Sequence, residues 1–176
     1  ASLHIVNTFN EDASIDMTVY VEADKTQDAV DGVTVQAVDV RKGVSEKAVG
    51  TNLSVAAATE KTSNPFNGAD GSAQTYPTVG DSLYSLAEAK GLTFTQNDGY
   101  VQSVTTSDNK TLAAYSDSDW NYYGWNYCVV RDGAKVTEGD VVSASVLEVE
   151  KGDSVYWAFG TMAQANEYFA TRVANN

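Results

Sequence analysis

The sequence predicts a single domain of the α+β class, a sheet with one helix packed across one of its faces. Several segments alternate apolar and polar residues with the period of two that is typical of a strand with one buried face. A segment in the middle of the chain instead has the apolar spacing of a helix, with capping residues at both ends. Strands that flank one such helix form a sheet against which the helix packs.

Two segments in the N-terminal part show the strand pattern. Residues 15–21 alternate apolar and polar side chains, and residues 33–40 repeat the alternation after an Asp-Gly pair. Residues 52–61 are rich in alanine and predict a short helix, which the following proline and glycines bring to an end. Residues 73–77 are a candidate for a further short strand.

The central helix is predicted over residues 78–90. Thr78 offers a hydroxyl group to the first turn, and Asp81, three residues on, is a shorter variant of the capping-box residue. Gly91 supplies the C-terminal stop. The apolar residues of one face are Val79, Leu83, Leu86 and Ala87. A single apolar stripe needs one partner surface, so we expect this helix to pack on the sheet.

The C-terminal half predicts four more strands and a second helix. The strands are residues 100–105, 125–131, 141–149 and 155–159. The helix is residues 161–173, with an apolar stripe formed by Met162, Ala165, Phe169 and Val173. Because neighbouring residues of a strand point to opposite faces, we expect only one of Tyr156 and Trp157 in the core, and we expect it to be Trp157.

The composition argues against some classes of partner. The 24 acidic and 11 basic residues give a formal net charge of −13, which repels nucleic acid backbones and anionic lipid surfaces. No apolar run is long enough to span a bilayer, so no membrane insertion is expected. From the composition and the start at Ala1 we expect an extracellular or cell-surface bacterial segment from which a signal peptide has been removed.

Histidine and cysteine are scarce in this chain, and its many carboxylates carry no information about catalysis. His4 is the only histidine and lies near the N-terminus, which excludes a histidine-dependent triad centred elsewhere. Cys128 lies in the middle of an apolar strand, where a buried thiol is expected rather than a nucleophile. No nucleophile elbow, phosphate-binding glycine loop or dinucleotide fingerprint is present. We therefore expect a protein that is not an enzyme.

Four motifs follow one another between residues 75 and 160. They are Thr78-Val79-Gly80-Asp81-Ser82-Leu83, Gly99-Tyr100-Val101-Gln102-Ser103-Val104, Gly124-Trp125-Asn126-Tyr127-Cys128-Val129-Val130-Arg131-Asp132-Gly133 and Lys151-Gly152-Asp153-Ser154-Val155-Tyr156-Trp157-Ala158-Phe159. In this order they resemble the transcobalamin C-terminal-like family. Its members include the C-terminal domains of transcobalamin and intrinsic factor and many secreted bacterial proteins of unknown function.

The resemblance implies a β-grasp (ubiquitin-like) sheet with one packed helix. It places residues 75–160 in one sheet, with the 78–90 helix on the concave face. Compared with the family, residues 24–70 form an N-terminal strand and loop insertion, and residues 161–174 add a helix. We expect these additions to belong to one domain, residues 1–176, because no flexible linker separates them.

Aromatic residues are concentrated between positions 117 and 127. The candidate ligand-binding residues are Tyr100, Trp120, Tyr122, Tyr123 and Trp125. Strand alternation is expected to bury Trp125 together with Tyr127, and residues 120–123 are expected in the preceding loop. The loop rings could form a platform, since flat rings supply contact area at low entropic cost, or they could merely cover a sheet edge. In the family the matching region faces the ligand, which favours the platform.

Three functions remain open from the sequence. The first is a non-catalytic extracellular module that binds a small molecule or a glycan through the aromatic loop. The second is a structural or adhesive segment of a bacterial surface protein that contacts a protein partner. The third is a corrinoid-binding fragment, although the resemblance implies weak cobalamin binding, because the helical barrel that encloses the other side of cobalamin in transcobalamin is missing.

No metal or resident cofactor is predicted. Residues 117–121 begin like a calcium loop, with oxygen ligands at alternate positions. Tyr122 and Cys128 then occupy the positions where an EF-hand needs Gly and Glu, so an EF-hand is excluded. A looser site that uses Asp117 or Asp119, or Asn97 with Asp98, is left open.

Overall fold

The computed structural model describes residues 2–6, 14–18, 29–58, 63–67 and 74–175. Near the N-terminus, β1 (Ser2–Val6) and β2 (Ser14–Thr18) form an antiparallel pair of their own. The strand predicted at residues 15–21 is confirmed as far as residue 18, and its last three residues lie outside the described ranges. The described part of the chain is of the α+β class, as predicted, with mostly strands and two α-helices.

The main sheet combines strands from both ends of the chain. Its members are β3 (Ala29–Asp39), β4 (Ser45–Ala56), β8 (Tyr115–Ser116), β9 (Tyr122–Arg131), β10 (Ala134–Lys135) and β11 (Ser154–Gly160). The strand order is β10-β9-β11-β3-β4, with β8 paired to the start of β9. β11 runs parallel to β3 and antiparallel to β9. The described part of residues 24–70, expected as an addition, therefore supplies two strands of this sheet, β3 and β4.

A second, three-stranded sheet contains β5 (Thr93–Asn97), β6 (Tyr100–Thr105) and β7 (Thr111–Ala113). The prediction that residues 75–160 form one sheet is therefore wrong. These three strands follow one another through tight turns, with Asp98, Gly99 and Asn109 at positive φ, and they pair among themselves. The parallel partner of β11 comes from the N-terminal part of the chain instead.

Helix α1 (Val79–Lys90) confirms the predicted helix. Thr78 and Asp81 form the capping box, and Gly91 ends the helix with a φ of 69° in the left-handed region. The predicted stripe is buried, with Val79, Leu83, Leu86 and Ala87 all in the core. The helix packs mainly on β4 and β3, and also on β5.

Helix α2 (Met162–Ala174) covers the opposite face of the main sheet. It begins at the predicted position, with Thr161 as its N-cap. The strand prediction placed only Trp157 in the core, but Tyr156 is buried as well, because α2 packs over it with Tyr168 and Phe169. Met162, expected on the apolar stripe of this helix, is 69% exposed.

Three other predicted elements are wrong. Residues 52–56, predicted as the start of a helix, continue β4 as the partner of β3, and residues 74–77 form no strand. Residues 59–61 and residue 73 of these two predictions lie outside the described ranges. Residues 141–149, predicted as a strand, form turns because their carbonyl groups cap helix α1. The N–H of Val79 donates to Leu147 O at 2.9 Å, and the N–H of Gly80 donates to Ala144 O at 2.8 Å. Such bonds satisfy donors that a helix N-terminus leaves without intrahelical partners.

The described residues contain two α-helices, α1 with 12 residues and α2 with 13. Neither helix is long and apolar enough to cross a lipid bilayer.

Candidate functional site

A cavity of about 650 Å³ opens beside the middle of β9. One wall is aromatic and consists of Tyr100, Trp125, Tyr127 and Trp157. Helix α2 also lines the cavity, through Met162, Phe169 and Val173 among others. Residues 139–144 complete the lining. We call this space the edge cavity, because residues from both faces of β9 line it.

Strand alternation and register build the aromatic wall. Trp125 lies opposite Phe159 and Tyr127 lies opposite Trp157 in the β9–β11 pair, so all four rings lie on one face. The ring centroids are 5.4 Å apart for Trp125 and Phe159 and 5.5 Å apart for Tyr127 and Trp157. Cross-strand aromatic packing thus fixes the planes of the rings that face the cavity.

Hydrogen bonds anchor the polar ends of two of these rings. The indole Nε1–H of Trp125 donates to Leu112 O at 3.0 Å, and the Tyr127 hydroxyl donates to Val142 O at 2.6 Å. Burial raises the pKa of Tyr127 well above its usual value, so the phenol stays protonated and keeps donating. Both side chains are held in place before any ligand binds.

Trp157 differs from its neighbours because its indole N–H is left without a partner. Only 1% of the residue is exposed, and Nε1 is buried with no hydrogen bond among the residues that the structure describes. An unsatisfied buried donor costs about 1–3 kcal/mol. Trp157 is among the residues that line the edge cavity, and its Nε1 lies beneath the surface of that wall.

Charged and small residues complete the rim. The Lys135 Nζ lies 2.5 Å from Asp140 Oδ1, in an ion pair that is partly exposed. Gly99 precedes Tyr100 in the β5–β6 turn with a φ of 85°, and a Cβ there would clash with Ser145 Oγ. Glycine at this position therefore allows the turn to bring Tyr100 to the rim.

The predicted ligand-binding residues divide between two places. Tyr100 and Trp125 line the edge cavity, whereas Trp120, Tyr122 and Tyr123 do not. The pairing of β8 with the first residues of β9 puts Tyr122 and Tyr123 in a strand rather than in the predicted loop. The alternation did predict the side of the sheet on which Tyr127 and Trp157 lie. It did not predict that a cavity opens over them.

A tight turn presents Trp120 to solvent. The Asp117 carboxylate accepts the N–H groups of Asp119 at 2.9 Å and of Asn121 at 3.0 Å. Hydrogen bonds from Asn121, above all, lower the pKa of Asp117. Trp120 has a φ of 64°, which is rare for a bulky residue, and 88% of it is exposed.

Tyr123 covers a sheet edge instead. Its ring stacks on that of Tyr115 with centroids 4.7 Å apart, and the Arg41 guanidinium lies 4.9 Å from the Phe159 ring beneath them. The Nε and Nη2 groups of Arg41 donate hydrogen bonds to the Asp39 carboxylate, which holds the guanidinium in this position. The surroundings of Tyr123 therefore fit a side chain that covers a sheet edge better than one that forms a ligand-binding platform.

Cys128 is buried on the α2 side of the sheet, which confirms the expected environment of its thiol. Burial raises the pKa of this thiol to about 11, so it carries no thiolate near neutral pH. Within the described ranges, no three His, Cys, Asp or Glu side chains come together as a metal-binding group.

Comparison of the chain with protein-family models, with curated proteins and with solved structures finds no match. The geometry of the edge cavity therefore carries the functional proposal.

Proposed function

We propose that this chain is a non-catalytic binding module that holds its ligand in the edge cavity. The observation that carries the proposal is a cavity of about 650 Å³ with an aromatic wall in which the buried N–H of Trp157 has no partner among the described residues. This volume lies within the range of about 300–1,000 Å³ that is usual for ligand sites. Apolar walls with a few convergent polar groups are typical of such sites.

The proposed fold is a β-grasp of the transcobalamin C-terminal-like kind. Three features support it: the hairpin β3–β4 precedes helix α1, β11 pairs in parallel with β3, and β9 and β10 complete the order β10-β9-β11-β3-β4. The β5–β7 sheet is then an insertion between the helix and β9. From the resemblance and the acidic composition, we place the module outside the cell, at a bacterial surface.

Each lining residue has a proposed role. Trp125 and Tyr127 are rigid walls, because their polar ends are already bonded to Leu112 and Val142. Trp157 is 1% exposed, so its N–H donates to an acceptor on the ligand only when the wall shifts on binding. Tyr100, which is 65% exposed, closes over the ligand from the rim. Preorganised walls of this kind reduce the entropic cost of binding.

The test uses the three tryptophan indole N–H signals of ¹⁵N-labelled protein, assigned from Trp→Phe variants. The probes are an N-acetylglucosamine tetrasaccharide, cyanocobalamin and capped hexapeptides. We expect a bound probe to shift the Trp125 and Trp157 signals and to leave that of Trp120 in place, since Trp120 does not line the cavity. Cyanocobalamin is expected to bind weakly to this chain alone, because the resemblance implies a separate helical domain to enclose its other side.

Two outcomes would contradict the proposal. If no probe shifts the Trp157 signal, the cavity is not a binding site for these classes of ligand. If a probe shifts only the Trp120 signal, binding takes place on the exposed turn at residues 117–121, as the aromatic-loop hypothesis states.

A further inference from the structure

Part of the edge of β9 has no paired strand where it borders the edge cavity. β8 pairs with Tyr122 and Tyr123, and β10 pairs with Val130 and Arg131. Between these pairings, on the side away from β11, residues 124–128 have no neighbouring strand among the described residues. At roughly 3.3 Å per residue the gap is about 16 Å long, enough for an extended segment of about five residues.

The backbone groups of two residues point into this gap. The Val129 carbonyl accepts the N–H of Val136 on the side away from β11. Alternate residues of a strand direct their N–H and C=O groups to the same side, so those of Tyr127 and Trp125 also point away from β11. On that side the structure gives them no main-chain partner among the residues it describes.

The cavity can also accept the side chains of an added strand. An extended chain alternates its side chains between two faces. On one face the edge cavity offers Tyr100, Trp125 and Trp157, and on the other it offers Met162 and Phe169. A rounded small molecule would use one of these walls, whereas a strand would use both together with the open backbone.

We propose that the ligand of the edge cavity is an extended peptide segment of a partner protein, which pairs with Trp125 and Tyr127 as an additional strand. This inference rests on the proposed function, since it names the class of ligand for the same cavity. Main-chain hydrogen bonds supply affinity in such strand addition, and the pockets for alternate side chains supply specificity.

Charge favours a basic peptide. The protein has a formal net charge of −13. The charged residues Lys135 and Asp140 line the cavity and pair with each other, so Lys135 adds no unpaired positive charge there. An acidic peptide would be repelled, and a basic one would be steered towards the site, more strongly at low salt.

The experiment titrates the full chain with a positional library of capped hexapeptides that carry lysine at both ends. We expect some members to bind, to shift the Trp125 and Trp157 indole signals, and to slow hydrogen exchange at the amides of Trp125 and Tyr127. Backbone N-methylation of a binding peptide keeps its side chains but removes its donors, so it should weaken binding by about tenfold or more. Replacing the two lysines by glutamate should weaken binding as well.

A matched pair of variants tests the location. Tyr100→Ala removes a ring that lines the cavity, whereas Tyr122→Ala removes a ring outside it. The two tyrosines are a matched pair because they are similarly exposed, at 65% and 62%. Tyr100→Ala should weaken peptide binding by about tenfold, as expected for an aromatic contact residue. Tyr122→Ala should bind the peptide about as tightly as the unmodified protein does. Equal effects of the two variants would overturn the proposal.

The remaining outcomes separate this inference from the function on which it rests. If the tetrasaccharide or cyanocobalamin shifts the Trp157 signal and no peptide does, the cavity binds a ligand but strand addition is wrong. If N-methylated and unmodified peptides bind equally, strand addition is also wrong. If no probe of any class shifts Trp157, the proposed function fails together with the inference. A peptide-induced dimer of the chain would likewise contradict a one-to-one added strand.

Discussion

Arg131 and Asp153 form a bidentate ion pair that joins the end of β9 to the turn before β11. The Nε and Nη2 groups of Arg131 donate to the two carboxylate oxygens of Asp153, each at 2.9 Å. Asp153 is fully buried and also accepts the N–H of Glu150 at 2.8 Å. The pair therefore closes the turn and aligns the two strands that carry the aromatic wall.

Arg131→Met should strongly destabilise the protein. The substitution leaves the Asp153 carboxylate buried without its cation, and removing one partner of a buried pair costs about 3–5 kcal/mol. Urea unfolding at neutral pH measures the change in the free energy of unfolding. The matched control is Lys135→Met, which breaks the more exposed pair with Asp140 and should cost less than about 1 kcal/mol. Similar losses in the two variants would contradict the role assigned to Arg131.

Trp120→Ala and Trp125→Ala should differ in stability. Trp120 is almost fully exposed, so its loss should change the free energy of unfolding by less than about 1 kcal/mol. Trp125 packs on Phe159 and donates to Leu112, so Trp125→Ala should cost about 3 kcal/mol. Thermal melts of both variants measure the difference. Equal large losses would mean that Trp120 is part of the core, and the exposed turn could then not act as a platform.

Local chemistry explains which parts of the fold the sequence could predict. The capping box of Thr78 and Asp81 and the left-handed Gly91 act within a few residues of the helix, so helix α1 could be located from the sequence. Residues 141–149 have the apolar content of a strand, but their carbonyls bond to the distant N-terminus of α1. Likewise, alternation separates Tyr156 from Trp157 but does not reveal that α2 covers the second face.

The candidate site was predictable to a similar extent. Tyr100 and Trp125 could be selected as aromatic residues next to turns and strands, and both reach the edge cavity. Trp120 and Tyr122 belong to the same aromatic cluster in sequence, but they do not line the edge cavity. The turn at Asp117 and the β8–β9 pairing place them elsewhere. The open edge of β9 depends on where β8 and β10 stop, which only the folded chain reveals.

The contribution of Asp81 to the stability of the protein should decrease between pH 4 and pH 7. Burial raises the pKa of this carboxyl to about 6, even though Thr78 and Asn64 donate hydrogen bonds to it. The folded state therefore binds the proton more tightly than the unfolded state does. The stabilisation is fully present below the ordinary pKa of 3.8 and is lost as the pH rises through about 6. The loss is on the order of 3 kcal/mol, at about 1.4 kcal/mol per pKa unit.

Asp81→Asn removes the titrating group and gives the comparison for this pH dependence. Urea unfolding of the unmodified protein and the variant, measured at intervals from pH 4 to pH 7, separates Asp81 from the other carboxylates. As the pH rises, the free energy of unfolding of the Asp81→Asn variant should increase relative to that of the unmodified protein. Parallel curves would show that the pKa of Asp81 does not shift on folding.

Gly80→Ala should destabilise the protein even though alanine is the better helix former. Gly80 lies in the first turn of α1, and a Cβ there would lie 2.5 Å from Cε2 of the buried Phe66 ring. Forcing a methyl group into such a contact costs about 1–3 kcal/mol. Except at the lower end of this range, the cost exceeds the gain in helix propensity, which is about 1 kcal/mol. The Phe66 ring also packs on Phe94, with centroids 5.8 Å apart, so it has little room to move.

A double-mutant cycle with Phe66→Leu tests the cause of this effect. The smaller side chain makes room for the added methyl group, so Gly80→Ala should cost less in the Phe66→Leu background than in the unmodified protein. Urea unfolding of the four proteins gives the coupling energy, which we expect to be at least about 0.5 kcal/mol, as for residues in direct contact. Additive effects would mean that the Phe66 ring is not what requires glycine at position 80, and that the first turn of α1 tolerates a Cβ at this point.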